Sequence, residues 1–132
     1  MDNTIRLYSY WRSSASYRVR IALNLKGLKY ETVPVNLVKD GGEQHAAEFH
    51  HLNPQDQVPV LIDGGRIVRQ SLAIIEYLDE MYDGHHLLPT TARERARARG
   101  LAHLIATDIS PLNGLSVLKY LETEDNMPLL ER

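Results

Sequence analysis

The sequence contains no cysteine. That absence excludes disulfides and thiolate metal centres, and it means that any sulfur chemistry must use a thiol brought in from outside. A long apolar run is missing too. Nothing approaches the roughly 18 residues of a membrane-spanning helix, and no apolar leader opens the chain, so no membrane partner is expected and the cytoplasm is the expected location. Strong charge of either sign is also absent, at −2 over 132 residues, which gives no overall basic surface for nucleic acid. The local cluster Arg93, Arg95, Arg97 and Arg99 spreads over two sides of a helix, so a solvated or interdomain face is expected rather than a binding stripe. Metal-ligand spacing is lacking as well. His50-His51 and His85-His86 are adjacent pairs that point apart on a helix, and His45 and His103 stand alone, so surface or core histidines are expected and no metal.

What is present starts with enough apolar material, 43%, for one domain with a respectable core, though the length is short for two. The stretch from Leu7 to Gly27, LYSYWRSSASYRVRIALNLKG, reads as a strand end, a polar turn and a helix. Any serine of Ser13-Ser14-Ala15-Ser16 can cap that helix by accepting from a first-turn amide. Arg18, Ile21, Ala22 and Leu25 then recur at helical spacing, and Gly27 offers the left-handed residue that ends a helix. Spare hydroxyls beside unpaired amides and a positive helix end favour an anion. Capping alone explains one serine well and three poorly.

In chain order, Thr4 to Ser9 alternates as a strand with Ile5, Leu7 and Ser9 on one side. Tyr30 to Val35 is a second strand, parallel to the first after a helical crossover and placed at an edge by Pro34. A Gly-Gly break leads to a helix over Glu43 to Leu52 that ends before Asn53-Pro54. Gln57 to Ile62 and Ile67-Val68 form a hairpin around Asp63-Gly64-Gly65-Arg66. Gln70-Ser71 caps a helix with Ile74, Tyr77, Leu78 and Met81 on its apolar face. The order β-α-β-α-β-β-α predicts a mixed four-stranded sheet with helices on its faces over 1–83, followed by a linker at 84–89. From 90 to 132 the pattern is purely helical. Leu101, Leu104, Ile105, Ile109 and Leu112 form its apolar face, extended by Leu115, Leu118 and Leu121, with Pro111 able to kink it. One helix cannot bury such a face, so the sequence reads as ending inside a second, all-helical domain.

Ser13-Ser14 at a helix start, Gln57-Val58-Pro59 before a strand, and Gln70-Ser71 opening Ser71-Leu-Ala-Ile-Ile-Glu-Tyr-Leu78 together resemble the glutathione transferases. Within them the serine turn looks like the zeta class, the maleylacetoacetate isomerases, over about residues 4 to 122. The resemblance implies an α/β thioredoxin-like domain that binds glutathione, followed by the first part of an all-helical domain, in a protein that works as a homodimer. It implies that Pro59 is cis, so that the Val58 backbone pairs with the cysteinyl part of glutathione. Gln70 and Ser71 would hold the γ-glutamyl end and Gln44 the glycyl end. Ser13, with Ser14 as runner-up, would donate to the sulfur and keep it as thiolate. Ala15 would also line the glutathione site by this resemblance; many members carry cysteine there, whereas this chain has no thiol of its own at that position.

The activity implied is glutathione-dependent isomerisation of an unsaturated diketo acid, maleylacetoacetate, in tyrosine and phenylalanine breakdown, with transferase side activity. Arg12 and Arg18 are candidates to meet a substrate carboxylate, because arginine pairs such groups bidentately. A maleylpyruvate isomerase is the rival reading. Its pattern prefers an arginine where this chain has Asn113-Gly114-Leu115-Ser116. A third reading is a binding module that has lost chemistry and uses its uncovered helical face.

Overall fold

The computed structural model describes residues 4–124, which divide between Leu88 and Pro89 into two compact units. The first unit is built on four strands: β1 (Ile5–Ser9), β2 (Tyr30–Pro34), β3 (Val60–Asp63) and β4 (Arg66–Arg69). They lie in the order β2-β1-β3-β4. β2 runs parallel to β1, while β1/β3 and β3/β4 are antiparallel. The mixed sheet and the edge position of β2 are as the sequence predicts. Gly64 and Gly65, at φ 53° and 83°, supply the two left-handed residues that a tight hairpin turn needs.

Helices α1 (Ser14–Leu25) and α3 (Ser71–Met81) bring Val19, Ala22, Leu23, Ile74 and Leu78 onto Ile5, Leu7 and Leu61 in one buried cluster. The alternation of β3 sends Val60 to the other face, where Val35 and Phe49 of α2 (Ala47–Leu52) complete a smaller cluster. The buried face of α1 differs from the expected one. Ser16, Val19, Ala22 and Leu23 are inside, whereas Ile21 and Leu25 are 44% and 54% exposed. Two registers of that helix are apolar, and the sheet selects the one that seats Val19 and Leu23. Gly27, at φ 67°, closes α1 as expected, with the Leu28 amide donating to Leu23 O at 3.0 Å.

The helix expected over Glu43 to Leu52 is two pieces. A 3₁₀ turn at Glu43–His45 is separated from α2 by Ala46 in extended conformation. β3 also starts later than expected, because the Gln57 carbonyl accepts from Asn53 Nδ2 at 2.8 Å and Pro59 has no amide to give a ladder. Residues 84–88, expected as linker, belong to the first unit. The Asp79 carboxylate accepts from the Leu87 and Leu88 amides at 2.8 and 3.1 Å and from Lys26 Nζ at 3.4 Å. Leu87 packs against the main cluster.

The second unit holds α4 (Ala92–His103), a π-helical stretch (Leu104–Ile109), a 3₁₀ turn (Ser110–Asn113) and α5 (Leu115–Glu124). Thr91 caps α4 by accepting from the Glu94 amide. The expected kink at Pro111 is a complete break, because Gly114 is extended at φ −71°, ψ 152°. None of the described residues in these elements is buried, and all of the arginine cluster is at least partly exposed.

Candidate functional site

Strand register gathers the sequence-assigned residues at one end of the sheet. Tyr8 pairs with Val60, and Val60 with Arg69, so the end of β1, the start of β3 and the end of β4 lie side by side. Ser9 pairs with Pro34 at the end of parallel β2, so the chain leaves that strand at the same end. The serine turn, Val58-Pro59, Gln70-Ser71 and the segment carrying Gln44 all follow or precede these strand ends. Sequence-distant groups therefore face one region.

Ser13 is the N-cap of α1, and its Oγ accepts from the Ser16 amide at 3.1 Å. A hydroxyl that accepts in this way still has its proton to donate. Ser14 is the exposed first residue of the helix and Ala15 is half-buried, and neither amide has an acceptor within the helix. The Val58-Pro59 peptide bond is cis, as the resemblance implies.

The start of α3 differs from the sequence expectation. The N-cap position belongs to Gln70, which makes no side-chain cap, and Ser71 is already the first helical residue. Gln70 sits at φ 72°, a left-handed conformation that costs a residue with a Cβ on the order of 1 kcal/mol or more and that concentrates at ligand sites. The first turn of α3 contains no acidic side chain to offset the positive end of the helix. Gln70 Nε2 donates to Gln55 Oε1 at 2.8 Å.

The two candidate arginines part company. Arg12 is exposed at the turn with its guanidinium 5.5 Å from the Trp11 ring centroid. Arg18 instead reaches α3, and its Nη1 donates to Ser71 Oγ at 3.2 Å. Burial pushes its pKa below the usual arginine value, though the group stays charged at any ordinary pH. Gln44 is brought to the right end but turned inward. It is 6% exposed, its Nε2 donates to Leu37 O at 3.3 Å, and its Oε1 is buried without a partner.

Two supports of this site were not legible in the sequence. Asn53, read only as a helix stop, is buried and grips the loop before Pro59 by donating to Gln57 O and accepting from the Gln55 amide at 3.1 Å. The signal was available, since asparagine side chains substitute for backbone in turns. His45 is not alone. Its Nδ1 and that of His50 lie 3.0 and 2.7 Å from the two oxygens of Asp56. Hydrogen bonds from His45 and His50 hold the Asp56 carboxyl below the usual carboxylate range. Only the fold reveals this trio, because Asp56 is at φ 54° in a turn that folds it back onto α2.

A cavity of about 340 Å³ opens beside the turn, lined among others by Tyr10, Trp11, Arg20 and Tyr30. None of the residues assigned to glutathione lines it.

Residues 3–80 match the family described as "Glutathione S-transferase, N-terminal domain". The chain belongs to the glutathione S-transferase family. It is 53% identical over 126 residues to a Rattus norvegicus maleylacetoacetate isomerase, which covers 96% of this chain and 58% of that protein. Among solved structures, a bacterial zeta-class maleylpyruvate isomerase in its holo form superposes with a TM-score of 0.88 at 45% identity, covering 93% of this chain and 57% of that one. A maleylacetoacetate isomerase from Methylobacterium extorquens AM1, solved with malonate and GSH bound, gives 0.87 at 48% identity over 93% and 57%. The resemblance to the zeta-class glutathione transferases thus extends along nearly all of the chain. The chain nevertheless spans only a little over half the length of these relatives.

Proposed function

We propose that this chain forms the glutathione-binding part of a glutathione-dependent maleylacetoacetate isomerase, its first unit binding the tripeptide and its second beginning an all-helical domain. The observation that carries the reading is the convergence, at one end of the sheet, of two helix starts, spare serine hydroxyls and the Val58-Pro59 bond. The residues fit the group. An uncapped positive helix start suits the γ-glutamyl carboxylate, and Val58, with Pro59 in the cis form, presents backbone that suits the cysteinyl amide.

When bound, glutathione supplies a sulfur nucleophile that adds reversibly to a conjugated double bond, which permits rotation before elimination. The chain's own part is to keep that sulfur charged without any base. A free thiol titrates near 8.5, and lowering it by about two units requires about 2.7 kcal/mol. The start of α1 contributes about 0.3–1 kcal/mol, up to about 2 where partly buried. A charge-assisted donor such as the Ser13 hydroxyl provides the remainder, with Ser14 as its neighbour in the same turn. Arg12, exposed at the turn, would pair a carboxylate of the unsaturated acid. The same reading puts the reaction in the breakdown of tyrosine and phenylalanine, in the cytoplasm, in a homodimer.

Titration calorimetry of the chain with glutathione, together with the ultraviolet absorbance of the thiolate against pH, tests the proposal. Binding with a depressed thiol pKa that Ser13→Ala raises is the expected result. An identical titration bound and free would overturn it. Turnover of maleylacetoacetate ahead of maleylpyruvate is expected, and the reverse order would assign the chain to the second isomerase, whose structure it superposes on equally well.

A further inference from the structure

Arg18 makes a contact for which the isomerisation has no evident need. It lies in the second turn of α1, yet its guanidinium crosses to the first residue of α3 and donates to Ser71 Oγ at 3.2 Å. We propose that Arg18 is a positioning residue for the γ-glutamyl carboxylate of glutathione, acting through Ser71, and not a contact for the unsaturated acid. This rests on the glutathione reading above and deepens it.

Three observations carry the assignment. Ser71 is 7% exposed, so its hydroxyl cannot turn freely in water, and by accepting from Arg18 it is left with its single proton as a donor. An arginine cannot accept, so the direction of that hydrogen bond is fixed. The guanidinium also brings positive charge to a helix start whose first turn contains no acidic side chain and no side-chain cap. Finally, Arg18 is on α1, the helix that presents Ser13. One side chain therefore ties the start of α3, where the carboxylate is bound, to the helix that holds the sulfur donor, and fixes the spacing between them. Lysine is not equivalent, because a guanidinium donates from several nitrogens at once in a fixed plane.

The test compares glutathione with an analogue whose γ-glutamyl α-carboxylate is an amide, by calorimetry on the whole chain. The unaltered protein is expected to prefer the carboxylate by about tenfold or more, the scale of a hydrogen bond to a charged group. Arg18→Gln is expected to erase that preference while leaving affinity for the amide unchanged, and Arg18→Lys to restore part of it. In a Ser71→Ala background, Arg18→Gln is expected to add little. A merely structural role would weaken both ligands alike, and that outcome overturns the proposal. So does an Arg18→Gln protein that keeps its preference but binds the unsaturated acid less well. Failure of the unaltered protein to bind glutathione at all is a separate result, which removes the functional reading itself. Denaturation midpoints of the variants identify any that fail to fold, and Arg18→Lys with Ser71→Ala then carry the comparison.

Discussion

Leu61 and Leu101 are both leucines in regular secondary structure, yet one is fully buried between strands and helices while the other is 57% exposed. The same contrast separates the two units of the chain. In the first, α1 and α3 each turn an apolar side onto a shared cluster. In the second, α4, the π-helical stretch and α5 hold their helical hydrogen bonds with none of their described residues buried. Local signals suffice to shape a helix, as the Thr91 cap and its Glu94 partner show. They do not suffice to stabilise one, because a helix of about 12 residues is marginal in water until packing supports it.

Four measurements sharpen or break that contrast. The largest effect is expected at Asp79. Asp79→Ala strands Lys26, whose side chain is fully buried, and is expected to cost about 3–5 kcal/mol in urea denaturation. The Asp79 interaction also has a pH signature. Burial pushes the Asp79 carboxyl up, but the Leu87 and Leu88 amides and the Lys26 ammonium outweigh it and hold the group below its ordinary value. Its stabilisation is therefore present above about pH 4 and lost as pH falls through the depressed value.

Next comes the core itself. Leu61→Ala is expected to cost about 2–5 kcal/mol, and Leu101→Ala to change the same unfolding transition by no more than about 0.5 kcal/mol. Equal costs would break the contrast. A smaller effect is expected in alkali. Tyr77 and Tyr82 both donate to Asp63 Oδ2 at 2.7 Å, and burial together with that hydrogen bond pushes the Tyr82 phenol up to about 12. A phenol held protonated in the fold stabilises below about pH 10 and loses that contribution as pH rises through the raised value. Tyr82→Phe is expected to flatten the fall in stability between these values.

The smallest expected effects are at the caps. Ser13→Ala is expected to lower the stability of the first unit by about 0.5–2 kcal/mol. Thr91→Ala is expected to leave the main transition in place and to speed hydrogen exchange only in the first turn of α4. A cap can support only as much cooperative structure as its helix is packed into.

Alternation in β1, the Gly64-Gly65 turn, the edge proline of β2 and the serine turn were all legible because each depends on neighbours in the chain. The pattern of motifs likewise brought Ser13, Pro59 and Gln70-Ser71 into view. What the sequence could not decide was which of two apolar registers α1 would bury, since Val19 and Ile21 are equally apolar and only the sheet distinguishes them. Nor could it decide the partners of polar side chains. Arg18 found Ser71, His45 and His50 found Asp56, and Asp79 gathered Lys26 and two amides. Hydrophobic period and turn chemistry act over a few residues and are written locally. A hydrogen bond across 53 positions, as in Arg18 to Ser71 or Lys26 to Asp79, depends on where two elements come to rest. One between nearer residues, as in His50 to Asp56, depends on a turn that folds one back onto the other.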